Sequence, residues 1–325
     1  YHLTNVLLHA CSACLVVLLM RRLSLPGAWL AGLVYALHPV CVESVAWVSE
    51  QKNTLSTVFA LCATLAYVRF DTERRTSLYI QASLWFALAL MTKSVTAMLP
   101  LGLLGLLWWK RGTLRLKQDL VWLLPWLVVG AASGLFTAWV ERTYIGAQGS
   151  DFALSATQRL LLAGRIPFFY LSKLFWPADL IFVYPRWNPS PADPLQWLFP
   201  CALVALLFSA WLLRRRTRAP FAALAAYVAL LFPVLGFVNV YPFIFSFVAD
   251  HFQYLASLAI LIPVSSALAA ASAAAPHGFR YAGAAVLALL LGTLTFRQSR
   301  SFSDNEVLFR RTVEHNPTCW LALNN

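Results

Sequence analysis

Long apolar runs, separated by short clusters of basic residues, make up most of this chain of 325 residues. Hydrophobic residues account for 60% of the sequence and charged residues for 12%, and the mean hydropathy is +0.67. A water-soluble domain of this size needs far more polar surface, so most of the chain is expected to lie in lipid. The sequence therefore predicts an all-α, polytopic membrane helical bundle.

The net charge of +12 does not indicate a nucleic-acid partner, because the basic residues stand in short clusters between the apolar runs. Cytoplasmic loops of membrane proteins carry such an excess of Lys and Arg. The clusters expected in the cytoplasm are Arg21-Arg22, Arg69/Arg74/Arg75, Lys110-Arg111-Arg115-Lys117, Arg214-Arg215-Arg216-Arg218 and Arg280.

A spanning helix needs about 20 apolar residues, and the chain must leave the cytoplasm and return between successive basic clusters. This rule predicts about ten spans, with both ends of the chain outside. The predicted inward spans are Leu3–Met20, Val48–Val68, Val95–Trp109, Leu195–Leu213 and Phe252–Ala271. The predicted outward spans are Leu23–Val42, Leu78–Met91, Leu120–Val140, Phe221–Val240 and Tyr281–Phe296.

One further apolar run, Leu160–Trp176, is predicted to lie flat on the outer surface of the membrane. A crossing there would put the cluster around Arg216 outside, against the rule for basic loops. The run also carries Arg165 and Lys173, as interfacial amphipathic helices do. It belongs to a long outer segment, residues 141–194.

The chain becomes polar from Arg297 onward. A break at Asn316-Pro317 precedes a short helical pattern that begins near Cys319 and carries Trp and Leu. Such a restart is typical of the opening of a tetratricopeptide array. We therefore expect a transmembrane domain at 1–296 and the extracytoplasmic start of a repeat region at 297–325.

Several ionisable residues fall at or near the ends of the apolar runs. Charges near membrane depth are costly and usually mark a water-filled functional cavity. Segment lengths place His38 and Lys52 just below the outer surface and Lys93 in a recessed vestibule, so these residues are expected to line one site. The ionisable residues at or near the ends of the apolar runs are Glu43, Glu50, Lys52, Lys93, Asp179, Arg186 and Asp250.

The stretch from His38 to Asn53 resembles the signature of the transmembrane-and-tetratricopeptide family, which is related to the protein O-mannosyltransferases of the GT-C superfamily. Members of that family often have His, Arg, Asp and Arg-Tyr where this chain has Cys41, Gln51, Asn53 and His251-Phe252. Further matches follow in order along the chain: Lys93 with Pro100, Trp176–Leu180 with Tyr184-Pro185, and Ala249–Leu255, besides Tyr1–Ala10 and Ala322–Asn325.

The resemblance implies a membrane glycosyltransferase. Such an enzyme transfers a mannose-like sugar from a polyprenyl-phosphate donor to an acceptor hydroxyl, of protein Ser or Thr, on the extracytoplasmic face. The implied partners are the lipid-linked donor, a protein acceptor held by the repeat domain, and the bilayer. Frequent Ala, Leu and Arg favour a bacterial source, and hence an inner membrane with the site in the periplasm.

The resemblance also implies about eleven spans in the whole protein and an essential acidic residue in the first outer loop. That loop would lie upstream of Tyr1, so the chain is interpreted as a piece of an enzyme, truncated at both ends and inactive by itself.

A phosphate leaving group needs cations to offset the charge that builds as the glycosidic bond breaks. Lys93 and Lys52 have that charge, and Arg186 is expected to close over them. An acceptor hydroxyl needs a nearby carboxylate as general base; in this chain Asp250 and Glu50 are the candidates. The remaining candidates for substrate binding are His38, Glu43, His251 and Tyr254.

Other interpretations stay open. Glu50 and Lys52 could form a helix surface pair, Lys93 could snorkel to the interface, and Asp250 could cap a helix. The whole protein could be a carrier of lipid-linked sugars, although its mid-span positions lack the polar residues a carrier needs. It could also be a non-catalytic scaffold that anchors the repeats. No cofactor is predicted, and no His/Asp cluster has the spacing of metal ligands. A loosely bound divalent cation stays an open alternative.

Overall fold

A computed structural model describes residues 1–325, except for the side chain of Leu116. The described backbone forms fourteen α-helices joined by short 3-10 and π turns, and no β-strand occurs in it. This confirms the prediction of an all-α fold. The first seven helices are α1 His2–Arg22, α2 Ala28–Leu37, α3 Val42–Ala46, α4 Gln51–Glu73, α5 Thr76–Thr92, α6 Leu99–Arg111 and α7 Val121–Val140. The others are α8 Ala156–Phe175, α9 Leu198–Leu212, α10 Ala219–Leu231, α11 Leu258–Ala271, α12 His277–Ser299, α13 Asn305–His315 and α14 Trp320–Leu323.

Helices cover part of each predicted span, but they differ in length. By length and composition, four helical segments of the described chain suit a membrane crossing: His2–Arg22, Lys117–Ile145, Pro194–Arg215 and His277–Phe302. Three apolar helices are shorter, namely Thr76–Thr92, Ala219–Val234 and Leu258–Ala271. The chain is thus a multi-pass membrane protein, and about ten crossings stays a prediction.

A break at His38-Pro39 interrupts the predicted outward span Leu23–Val42. The helices Ala28–Leu37 and Pro39–Ala46 meet at a bend of 54°, and together they could form a fifth crossing. Pro39 has no N–H to continue the helix. The ring of His38 accepts a hydrogen bond from the Val40 amide, at 3.4 Å, and so begins the next turn. The bend brings Glu43 into the interior.

The basic clusters come together at one end of the molecule, as the alternating spans require. Arg22 pairs with Glu73 at 3.4 Å and Arg111 pairs with Asp71 at 2.9 Å, which joins the clusters after α1, α4 and α6. A Cβ atom on Gly112 would collide with the Arg218 guanidinium, so the cluster before α10 is there too. We call this the basic end.

Helix α8, which covers the predicted interfacial run, buries one face in the protein. Leu162, Ile166 and Tyr170 on that face are at most 1% exposed. Gly164 allows a close crossing with α9, because a Cβ atom there would lie 2.5 Å from the backbone nitrogen of Pro200. The pattern of one buried face is that of an amphipathic helix. Its position flat on the membrane stays a prediction.

The C-terminal helices pack on the loop that follows α8. Val183 of that loop, Cys319 and Ala322 form a small buried cluster. The side-chain amide of Asn316 donates to the Val183 carbonyl at 3.2 Å. The helix break after His315 and the restart at Trp320 agree with the expected positions, while the assignment of 297–325 to a repeat array stays a prediction.

Candidate functional site

A cavity of about 1390 Å³ lies at the end of the molecule opposite the basic end. Helix α4 runs from the cavity to the basic end. It starts beside the cavity at Gln51 and ends at Glu73, roughly 33 Å away at 1.5 Å per residue. The ionisable residues in the cavity wall are His2, Glu43, Glu50, Lys52, Lys93, Glu141, His251 and Asp304. Residues from both halves of the chain therefore converge here.

Glu50 lies between two lysines in the wall of this cavity. Lys52 Nζ lies 3.1 Å from Glu50 Oε1, and Lys93 Nζ lies 3.1 Å from Glu50 Oε2. The Glu50 side chain is 2% exposed, against 18% for Lys93 and 50% for Lys52. One buried carboxylate thus holds two cations, and their excess positive charge faces the cavity.

Asn53 hydrogen-bonds to Glu50, Lys93 and His251, although it was not among the predicted site residues. Its Nδ2 donates to Glu50 Oε2 at 2.7 Å and to the carbonyl of His251 at 2.8 Å. Its Oδ1 accepts from Lys93 Nζ at 2.6 Å. Position 53 is one turn after Glu50 on the same helix face, and that spacing is the signal that could have identified it.

Glu43 binds His251 through two contacts. The carboxylate accepts from the His251 amide at 3.0 Å and lies 2.8 Å from its Nδ1 atom. Both residues are buried and both line the cavity. This pair joins α3 to the loop before α11. We call Glu43, Glu50, Lys52, Asn53, Lys93 and His251 the charged network.

Asp250 is 2% exposed and lies beside the charged network, outside the residues that line the cavity. The hydroxyl of Tyr184 donates to its two carboxylate oxygens, at 3.0 and 3.1 Å. Tyr254, four residues later in the chain, is another predicted site residue. The structure places the Tyr254 hydroxyl 2.7 Å from His9 Nδ1.

Burial and neighbouring charges shift the pKa values of three of these groups. Burial and the nearby Glu43 raise the pKa of Asp250 well above its usual value, against the effect of the Tyr184 hydrogen bond. Burial alone would raise the pKa of Glu50, but Lys93, His251 and Lys52 outweigh it and lower that pKa. Burial lowers the pKa of Lys93, and Glu50 opposes that shift. The lowered pKa favours the ionised form of Glu50.

Besides Asp250, three predicted site residues do not line the cavity. His38 lies 3.0 Å from the Leu174 carbonyl through Nε2 and is 3% exposed. Arg186 donates to the Phe243 carbonyl at 2.9 Å and lies over the Phe247 ring. Tyr254 is buried against His9. Their side chains hold loops in place and do not face the lysines.

Among the described residues, no group of three or more His, Cys, Asp or Glu side chains is arranged to hold a metal ion. The carboxylates of the cavity wall are bound instead by lysine, histidine and backbone N–H groups, as for Glu50 and Glu43. Lys52 and Lys93 are the lysines of this wall.

Residues 2–137 match a family model described as dolichyl-phosphate-mannose-protein mannosyltransferase. This stretch contains the part of the charged network from Glu43 to Lys93.

Three curated relatives match shorter stretches. Protein O-mannosyl-transferase Tmtc1 of Drosophila melanogaster is 37% identical over 112 residues, which are 33% of this chain and 13% of that protein. Protein O-mannosyl-transferase tmtc2 of Xenopus laevis is 33% identical over 100 residues, 29% of this chain and 12% of that protein. The TMTC2 protein of Mus musculus is 36% identical over 76 residues, 23% of this chain and 9% of that protein. The matches thus span 13% or less of these relatives' length. No solved structure matches the chain.

Proposed function

Since the chain is O-mannosyltransferase-like, we propose that it forms the membrane part of a glycosyltransferase whose sugar site is the charged network. The donor is a polyprenyl-phosphate sugar, mannose-like, and the acceptor is a protein Ser or Thr hydroxyl. The observation that carries this proposal is the pair of lysines on one buried carboxylate in a cavity wall.

The charges of this group suit a phosphate leaving group. Lys52 and Lys93 carry two positive charges against the one negative charge of Glu50, so this group of three side chains has one positive charge in excess. Asn53 and Glu50 fix the Lys93 ammonium, so it needs no reorientation when charge develops in the transition state. Half-exposed Lys52 can swing toward a phosphate.

In the proposed step, the acceptor oxygen attacks the anomeric carbon of the sugar. The bond between that carbon and the phosphate oxygen breaks, and the phosphate leaves with the electron pair. The hydroxyl proton passes to a carboxylate. In this chain Glu50 is a candidate for that role, because it lines the cavity beside the lysines.

The orientation of the site is also a proposal. The basic end would face the cytoplasm and the cavity the opposite side, as the distribution of Lys and Arg favours. In a bacterium this arrangement would put the cavity at the periplasmic face of the inner membrane, where lipid-linked sugars serve as donors.

Lys93→Met in the full-length protein tests the proposal. Loss of one preorganised donor to the leaving group should lower sugar transfer from polyprenyl-phosphate mannose about 100-fold. The measurement is the initial rate of radiolabel transfer to a Ser/Thr peptide by purified protein. Lys117→Met, at the basic end, is the matched control and should transfer at the wild-type rate. A wild-type rate for the stable Lys93→Met protein would remove this lysine from the mechanism.

A further inference from the structure

Six phenylalanines line the same cavity as the charged network, and four of them, which are half-buried, lie towards the C-terminal helices: Phe182, Phe245, Phe302 and Phe309. Phe182 lies in the loop after α8, and its ring centroid is 6.3 Å from that of Phe302 and 6.2 Å from that of Phe309. Phe245 contacts Trp320 of α14, with the centroids 5.0 Å apart. We call these four rings the aromatic wall.

The aromatic wall lies beside the charged network. The ring of Phe182 meets that of Trp47 edge to face, with the centroids 4.9 Å apart. Trp47 in turn lies 5.6 Å from the ring of His251, the residue whose carbonyl binds Asn53. A molecule held on the aromatic wall would therefore lie next to the lysines.

The cavity has room for more than the head of one sugar donor. Its volume is about 1390 Å³, whereas sites for one small molecule commonly measure about 300–1,000 Å³. A transfer reaction needs both substrates in place at once. If the phosphate and its sugar occupy the charged network, the space along the aromatic wall is left for the second substrate.

The chemistry of the aromatic wall favours a polypeptide over a second sugar. Phenyl rings cannot hydrogen-bond, and the aliphatic side chains of Val183, Leu308 and Leu321 line the cavity beside them. The hydroxyls of a sugar that faced these rings and aliphatic side chains would lose hydrogen bonds to water, at a cost in free energy. A peptide offers apolar side chains to the rings, and the polar residues Ser303 and Asn305 also line the cavity, where a peptide backbone needs hydrogen-bond partners.

We propose that the aromatic wall is the acceptor subsite, and that it selects a peptide with an apolar or aromatic side chain next to the modified Ser or Thr. This inference rests on the proposed function. Two rings of the wall come from the segment 297–325, so that segment forms part of the site and does more than tether further repeats.

Phe309→Ala in the full-length protein tests the subsite. The probes are two synthetic peptides of equal length with a central Thr, one flanked by Phe and Val and the other by Gly and Asn. Loss of one contacting ring should weaken binding of the apolar peptide about tenfold and raise its KM to the same extent, with kcat and the KM for polyprenyl-phosphate mannose unchanged.

Two further variants guard against a merely structural effect. Phe245→Ala, from another element of the wall, should act on the apolar peptide in the same way. Phe279→Ala removes a ring that is 75% exposed on α12 and outside the cavity lining, and it should leave all constants unchanged.

The outcomes separate the subsite from the proposed function. Wild-type protein that transfers sugar to both peptides equally, with no effect of either wall variant, would overturn the subsite and leave the proposed function standing. Peptide binding with the predicted preference, measured by fluorescence without donor, would support the subsite even if no lipid-linked sugar were transferred. That last result would overturn the proposed function instead.

Discussion

Asp250 is an ionisable residue that the fold shields from water, and its surroundings indicate what it contributes. Its carboxyl is 2% exposed, bound by Tyr184, and held at a raised pKa by burial and Glu43. A raised pKa favours the protonated form, which has nearly the shape and hydrogen-bonding capacity of an amide. We therefore interpret Asp250 as a residue that positions its loop beside the charged network.

Asp250→Asn should keep the free energy of unfolding within about 1 kcal/mol of wild type, because the amide can still accept from Tyr184. Asp250→Ala should cost about 2 kcal/mol, because the Tyr184 hydroxyl then loses its buried partner. Denaturant unfolding of the full-length protein in detergent measures both. An Asp250→Asn protein that is stable but transfers no sugar would show that the ionised carboxylate acts in catalysis.

The lowered pKa of Lys93 gives the proposed transfer a dependence on pH. As pH rises, this lysine should lose its proton earlier than a free lysine does, and the phosphate then loses a cation. Arginine stays charged over that range. Lys93→Arg should therefore keep its residual activity at alkaline pH where the wild-type rate declines. Rate profiles of both proteins above pH 8 would measure this, and parallel declines would contradict it.

Several residues that the sequence predicted to share one site lie together in the structure, and their role as a site stays a prediction. Glu43, Glu50, Lys52, Lys93 and His251 were expected near one another, and they all line one cavity. Their partners were not predictable, because which side chain meets a given carboxylate depends on contacts between distant loops. Glu43 with His251, 208 positions apart, is the example.

At the scale of elements, the crossing of α8 and α9 brings the loop of Tyr184 and Phe182 to the site. Gly164 sits at this crossing, where a Cβ atom would lie 2.5 Å from the Pro200 nitrogen and 2.6 Å from its Cα atom. Backbone atoms cannot rotate away as a side chain can. The helices would have to separate.

Gly164→Ala should therefore destabilise the protein by about 2 kcal/mol through overpacking. Gly292→Ala, on α12, is the matched control, because nothing lies within 4 Å of its added Cβ atom. That variant should lose no stability. Unfolding midpoints of the two variants against wild type test the difference, and equal midpoints would show that the crossing is looser than the structure indicates.

Helix positions followed from the sequence more readily than helix ends. The predicted outward span Leu23–Val42 became a ten-residue helix and a bent second piece, because Pro39 ends the hydrogen-bond ladder. The first turn of α4 carries the polar residues Lys52, Asn53 and Thr54, because this turn lies at the charged network and does not face lipid. Mean hydropathy along a segment does not distinguish these two surroundings.

At the scale of the whole molecule, the two ends of α4 lie in regions with different side chains. The basic end gathers arginines and lysines around Asp71 and Glu73. The other end holds the cavity, the charged network and the C-terminal helices. Alternation of basic and non-basic loops along the sequence predicted this polarity. The cavity was not predictable, because it depends on segments that are far apart in the chain.

The proposed site requires that the charged network and the C-terminal helices face the same compartment, opposite the basic end. Labelling of single cysteines by a membrane-impermeant thiol reagent, on intact cells with the six native cysteines replaced, tests it directly. Ser49→Cys and Ser303→Cys, both in the cavity wall, should be labelled from outside, and Thr217→Cys should react only after lysis. Labelling of Ser49→Cys and Ser303→Cys from opposite sides would contradict the account.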